Sequence, residues 1–342
     1  MTESKKKFFS WLKQHLLLNL GFAPKLFGYK DEDLYRLTQG SLKKYTNGVE
    51  YYFGLNLRGV EQAVDDFPKK LVQHKLIKIM HAPFVREPYP YKKFGKITLS
   101  QWMRDKALTR ASANSWHRLP KAIKLSSAIG AEKINIHAID LILAPQSDKL
   151  FHELDKLSAN QNIIICLENN ARTPKKQLKD KSEWQAAHDP IKLMEYLRQN
   201  NLENFYITID TAHLAAAGCN VAQKWEKIKQ FTHGDINTFI SHFHLVDFKT
   251  KGELEAEVPG KGEIGLEVFQ KIITDLYQMD YQGTISLELA PLYFYRQRYK
   301  LIANSLKRYV WPFKDSLREE EEYILRIIRV ISSAESADLI NA

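Results

Sequence analysis

Short apolar runs recur along this chain, spaced widely enough to hold a helix between neighbours. They read "LLLNLGF" (16–22), "GVEYYFGL" (48–55), "LIKIMHA" (76–82), "KINIHAI" (133–139), "NIIICLEN" (162–169), "FYITIDTA" (205–212), "FISHFHLVDF" (239–248) and "GTISLEL" (283–289). Each has strand length and is rich in Ile, Val, Leu and aromatic residues. Several are continuous rather than alternating, as expected for strands covered on both faces. The segments between them carry helical spacing. "SWHRLPKAIKLSSAIGA" (115–131) runs to a glycine, and "LEVFQKIITDLYQM" (266–279) repeats the pattern. "HDPIKLMEYLRQNN" (188–201) offers Asp189 as N-cap and Pro190 at the first helical position.

Strand alternating with helix predicts a parallel sheet. Eight such units in roughly 250 residues or somewhat more predict an α/β fold, the (β/α)8 TIM barrel. A doubly wound open sheet is the alternative. It would usually carry a glycine-rich phosphate loop after the first strand, which "LGFAPKLFG" does not supply. The barrel is expected over about 16–290, with long βα loops, inside a single domain spanning 1–342. A C-terminal helical extension occupies about 291–342, where "REEEEYILRIIRVISSA" (318–334) reads as an amphipathic helix with a solvated acidic first turn. The longest loop, 83–110, is expected to form a lid or a substrate wall, and the aromatics of 290–313 to stack on a ligand or pack on the rim.

"KKKFFSWLKQHLLLNLGFA" has a passing likeness to a signal peptide. Lys13 and His15 interrupt its apolar part, and it is too short and charged to span a bilayer. It reads as an amphipathic helix entering the first strand, and no stable membrane association is expected. Composition adds little: 342 residues, 44% hydrophobic and 26% charged, suit an ordinary globular protein. Cys166 and Cys219 lie far apart without metal or disulfide spacing, so a reducing, cytoplasmic setting is expected. The net charge of +10 suits anionic substrates, DNA or plain solubility. No tract interleaves basic and aromatic residues as a single-strand binding groove does.

The ionisable residues change this picture. His81 ends the third run, His137 lies near the end of the fourth, and Glu168, Asp210, His244 and Glu288 close the next four. A single strand-end histidine is more often packed than liganding, and a single strand-end acid can pair with a lysine. Six consecutive strands delivering such residues to the C-terminal face of one barrel point to an active site. Neighbouring strands are about 4.8 Å apart, so these side chains can meet around one ion. Crowded carboxylates repel unless some protonate or a cation joins them. Glu168, Asp210, His244 and Glu288 make an oxygen-rich set suited to Mn, Mg, Co or Zn. His81 and His137 make room for a second ion, with Glu168 bridging, so one or two ions per chain are expected. His242 shares a face with His244 but lies deeper, and is expected to pack or to support a ligand from behind. Asp247 is expected to orient a ligand or to pair with Lys249. "PGKGEIG" (259–265) is a glycine-rich turn whose amides, with Lys249, Lys251 and Lys261 nearby, suit a phosphate.

"HAPF" (81–84), "INIHAI" (134–139), "CLENN" (166–170), "DTAH" (210–213), "SHFHLVD" (241–247), "PGKGEIG" and "SLEL" (286–289) occur in an ordered series. The series resembles the xylose-isomerase-like TIM-barrel superfamily, over about 16–290. Two of its branches imply different functions. The sugar isomerase and epimerase branch implies one divalent metal on Glu168, Asp210, His244 and Glu288. Glu168 and Glu288 are then the acid–base pair, and His213 contacts a polyol or sugar-phosphate substrate. His81, His137 and Lys249 are further substrate-binding candidates. The endonuclease IV (AP endonuclease family 2) branch implies three zinc ions and abasic-site DNA. There His81 and His137 are metal ligands, Glu168 bridges, and His213 joins an Asp-x-His motif on the loop after strand seven. Here that loop reads "FKTKGELEAEVP" (248–259), without a histidine. Isomerisation or epimerisation is therefore the leading expectation, the phosphodiesterase the alternative. Other metal chemistry or non-catalytic binding on the same barrel comes after both.

Overall fold

The structure is a computed structural model. It describes residues 3–19, 31–52, 68–82, 119–142, 144, 146–170, 187–249, 254–257, 259–287 and 328. Ten strands are described: β1 Leu16–Asn19, β2 Gly48–Tyr52, β3 Ile77–His81, β4 Lys133–His137, β5 Ile164–Glu168, β6 Phe205–Asp210, β7 Ile240–Leu245, β8 Asp247–Lys249, β9 Leu254–Glu257 and β10 Thr284–Leu287. All but β8 and β9 close into one barrel in the order β1-β10-β7-β6-β5-β4-β3-β2. Every barrel pairing is parallel. β8 and β9 form a separate antiparallel hairpin beyond β7.

The barrel is the one the apolar runs predict, with shorter strands. β4 stops at His137, and residues Ala138–Ile142 turn at once into a helix rather than extending the strand to 139. β6 stops at Asp210, which caps the helix Thr211–Ala216. The long run 239–248 divides into β7 and β8 around Val246. β4 and β6 thus end on a polar, inward-facing residue, and β7 ends one residue beyond one, His244.

Helices cover the outside. Pro190–Gln199 starts as its sequence predicts, with the Asp189 carboxylate accepting from the Ile191 amide at 3.0 Å. Leu119–Ala128, Ser147–Gln161, Val221–Phe231 and Leu266–Gln278 place Ile123, Leu154, Trp225 and Phe269 in the buried layer against the strands. The N-terminal segment is the amphipathic helix its pattern predicts, Glu3–His15. It docks at the strand N-termini: Trp11 Nε1 donates to the Tyr281 carbonyl at 3.2 Å, and His15 Nδ1 lies 2.6 Å from the Gly283 carbonyl. Of the expected C-terminal helix only Ile328 is described, helical and buried. The segments 83–110 and 290–313 lie outside the described residues. No helix among the described residues is long and apolar enough to cross a membrane.

The lumen is unlike the shell. A barrel of this kind is normally filled by layers of Val, Ile and Leu. Here β2 contributes Glu50, β4 Lys133, Asn135 and His137, β6 Thr208 and Asp210, and β7 His242 and His244, all buried. Buried polar groups are costly unless hydrogen-bonded, so this filling requires a network.

Candidate metal centre and active site

The register explains why strand-end residues meet. His137 pairs with Glu168, and Asp210 with His244. His81 sits one strand further, opposite Asn135. Five of the six predicted strand-end residues therefore converge at the C-terminal mouth, and all five are buried. Glu288, the sixth, lies outside the described residues.

Glu168 is the hub, 1% exposed. Its Oε2 lies 3.0 Å from His81 Nε2 and 3.5 Å from His137 Nε2. Its Oε1 lies 3.3 Å from His244 Nδ1 and 3.2 Å from His213 Nδ1. The two oxygens thus face two separate groups of imidazoles. Burial works to raise this carboxyl, but His244 and His137 outweigh it and hold it well below the usual carboxylate range. Asn135, which drew no attention in the sequence, fixes the orientation. Its Nδ2 donates to Glu168 Oε2 at 2.5 Å, and its Oδ1 accepts from Thr208 Oγ1 at 2.6 Å.

Asp210 has two roles. Oδ1 accepts from the His213 amide at 2.6 Å as a helix N-cap, while Oδ2 lies 3.5 Å from His244 Nδ1. His213 Nδ1 also lies 2.8 Å from the Asn169 carbonyl. A carbonyl can only accept, so Nδ1 carries the hydrogen and Nε2 the lone pair.

The donor set can be tested for a cation. His81 Nδ1 lies 2.9 Å from the Ala82 carbonyl, so it donates there, and a neutral His81 turns the lone pair of Nε2 toward Glu168. His244 does the same from its other nitrogen: Nε2 lies 3.0 Å from both oxygens of Glu50, and Nδ1 faces Glu168 and Asp210. Lone pairs aimed at carboxylate oxygens are unfavourable until a proton or a cation lies between them. Burial alone would lower the His81 pKa; Glu168 raises it above its ordinary value, which is the response of a ring needing positive charge. Ligand atoms of Glu168, Asp210 and His244 all lie within 4.8 Å of one another, as do those of His81, His137 and Glu168. Both groups fit a divalent cation by donor chemistry, burial and mutual distance.

A family model described as a xylose isomerase-like TIM barrel matches residues 46–307, most of the chain. The chain belongs to that family. No curated protein matches it. Among solved structures, this xylose isomerase-like barrel is similar to a D-tagatose 3-epimerase-like protein, with 15% identity and a TM-score of 0.49. That match covers 94% of this chain and 100% of the other. It is also similar to a 3-keto-D-glucoside 4-epimerase from E. coli, with 14% identity and a TM-score of 0.47, covering 85% and 99% of the two chains. A third is a probable 3-DHS dehydratase from Bacillus anthracis, with 14% identity and a TM-score of 0.42, covering 80% and 92%. At these identities and TM-scores the likenesses assign no reaction.

Three further residues of the xylose isomerase-like site escape a reading of strand ends. Glu50 is fully buried on β2 and accepts from His242 Nε2 at 3.1 Å as well as from His244. Burial works to raise its carboxyl, yet His244 and His242 hold it well below the carboxylate range. Tyr52 stacks on His81, with ring centres 4.1 Å apart and planes 9° from parallel. Asn19 Nδ2 reaches Glu50 Oε2 at 3.2 Å and the Tyr52 hydroxyl at 3.4 Å. One signal was available: a glutamate flanked by Val49 and Tyr51 inside an apolar run must find partners once buried. His242 is buried behind His244, as its depth predicts; burial lowers its pKa to about 4, so the ring is neutral.

Asp247 takes backbone partners that the sequence did not indicate. Its carboxylate accepts from the amides of Gly260 at 2.9 Å, Gly262 at 2.9 Å and Ile264 at 3.0 Å. Three of the amides of "PGKGEIG" are thus taken by Asp247, and that of Glu263 by the Phe248 carbonyl. A Cβ at Gly262 would collide with that carboxylate, so only glycine permits the approach. The side chain of Lys249 lies outside the described residues.

Proposed function

We propose that the chain is a divalent-metal-dependent isomerase or epimerase of a small polyhydroxylated substrate, a sugar or a sugar phosphate. The observation that carries this is the buried convergence of Glu168, Asp210 and His244 at the barrel mouth. These three, with Glu288, would hold one ion of Mn, Mg, Co or Zn. Such an ion supplies positive charge against a substrate oxygen and acidifies the neighbouring C–H. The protein does the rest. Glu168 and Glu288 carry the proton, one removing it from the carbon next to the carbonyl and the other returning it. The donors around Glu168 keep it ionised, the state needed both to ligate and to accept. Return to the opposite face of the same carbon is epimerisation; return to the adjacent carbon is isomerisation. His213 binds substrate hydroxyls through Nε2, and Lys249 suits an anionic group.

The His81, His137 and Glu168 group favours a second reading, a phosphodiesterase with more than one ion acting on abasic-site DNA. The loop 248–259 has no histidine to complete a third zinc site, which keeps this reading second. The test is metal analysis of the purified protein, then incubation with ketoses and their phosphates in deuterated water. The first reading expects chelator-sensitive deuterium uptake at the carbon next to the carbonyl. No uptake on any substrate, with metal-dependent nicking of an abasic duplex, would reverse the order.

A further inference from the structure

His244 is held from both sides, and the side away from the mouth is as fully built as the side facing it. Its Nε2 lies 3.0 Å from each oxygen of Glu50. The same carboxylate is 3.1 Å from His242 Nε2 and 3.2 Å from Asn19 Nδ2. Ligand atoms of Glu50, His242 and His244 also lie within 4.8 Å of one another, but here the Asn19 amide donates to the same carboxylate and Thr284 Oγ1 stands behind His242, so these contacts read as hydrogen bonds. A carboxylate can only accept, so it places the hydrogen on Nε2 of both rings. His242 must then accept at Nδ1. Thr284 Oγ1 stands 2.8 Å from that nitrogen. The Thr284 carbonyl is also near, at 3.0 Å, but accepting His242 Nδ1–H there would turn the Nε2 lone pair onto Glu50. The Thr284 hydroxyl has two acceptors in reach, His242 Nδ1 at 2.8 Å and the Ser241 carbonyl at 3.3 Å, and the shorter contact is to His242; Lys133 Nζ, at 3.1 Å, donates to the same oxygen. Lys133 also reaches across the lumen to the Ser241 carbonyl at 2.7 Å.

The hydrogen bonds therefore run from Lys133 through Thr284 and His242 to Glu50, and Glu50 accepts from His244 on its other side. We propose that this chain, with Glu50 as its centre, is a positioning device that fixes His244 as the Nε2–H tautomer and presents the Nδ1 lone pair at the mouth. It rests on the metal reading above, and extends it from the mouth to the base of the barrel. A carboxylate behind a liganding imidazole sets ring orientation and basicity, and its loss typically costs 10–100-fold in metal affinity.

The experiment uses the full chain. Histidine 15N spectra of the metal-free protein are recorded, with His244 assigned by His244→Gln, and Co(II) and Zn(II) affinities are measured for wild type, Glu50→Gln and Thr284→Val. The proposal expects Nε2–H on His244 in wild type, and affinity lowered about 10–100-fold in Glu50→Gln. It expects a smaller loss in Thr284→Val, with far-UV circular dichroism unchanged in both. Nδ1–H on His244 in wild type would overturn it, even if Glu50→Gln fails to fold. So would unchanged affinity in a folded Glu50→Gln. Loss of one whole bound ion from Glu50→Gln, with the remaining ion unaffected, would also overturn it by making Glu50 a ligand. If wild type binds no divalent ion, the metal reading fails, while the tautomer measurement still decides the positioning claim.

Discussion

The two faces of β7 show two different kinds of packing within one strand. Phe243 points outward, buried, with its ring edge-to-face against Trp225 at 5.7 Å and Tyr281 at 5.5 Å. His242 and His244, on either side of it, face inward and meet Glu50, Glu168 and Asp210. The outer face gains stability from apolar burial, which is non-directional and tolerant of detail. The inner face gains geometry from hydrogen bonds that must all be satisfied at once. The comparison teaches that stability and chemistry are separable here: the shell holds the barrel, and the lumen aims the ligands.

The largest effect on stability should come from the shell. Phe269→Ala removes a fully buried ring and is expected to cost about 3–5 kcal/mol, measured by denaturant titration. Metal affinity of the folded protein should be unchanged; a parallel loss of affinity would break the separation. Asp210→Asn tests the other side. Asparagine still caps the helix Thr211–Ala216, so stability should move by less than about 1 kcal/mol. Metal affinity should fall by more than about 100-fold, since an anionic ligand is lost from a site of few donors. An Asp210→Asn that kept its affinity would show that Asp210 is no ligand and that capping is the role left to it.

The smallest effect concerns His15, at the base and far from the mouth. Burial depresses its folded pKa below the ordinary 6.5, partly offset by its bond to the Gly283 carbonyl. The unfolded chain therefore takes up the proton first. His15 contributes stability that is present above pH 6.5 and lost as pH falls from there through the folded value. His15→Gln should flatten the pH dependence of stability below 6.5 and leave the metal affinity alone, as read by denaturation at several pH values.

Much of this was legible in the sequence because both signals are local. Apolar runs separated by helix-length segments give the barrel, and a polar residue where a run ends marks the mouth. His81, His137, Glu168, Asp210 and His244 carried that signal, and the register brings them together. Glu50, Asn135 and Tyr52 carried it weakly. They lie within apolar runs, and whether such a residue faces lumen or shell depends on strand register, which a one-residue slip reverses. Asp247 shows a different limit. Its partners are backbone amides 13 to 17 residues ahead, and no side-chain pattern announces where a turn will fold back.

The central claim is that the buried carboxylates and imidazoles at the mouth hold a divalent ion. Anomalous diffraction from crystals of the protein loaded with Mn or Zn tests it most directly. The account predicts a peak within about 2.0–2.3 Å of ligand atoms of Glu168, Asp210 and His244 together. A loaded crystal with no peak there, or with its only ions elsewhere, would contradict it.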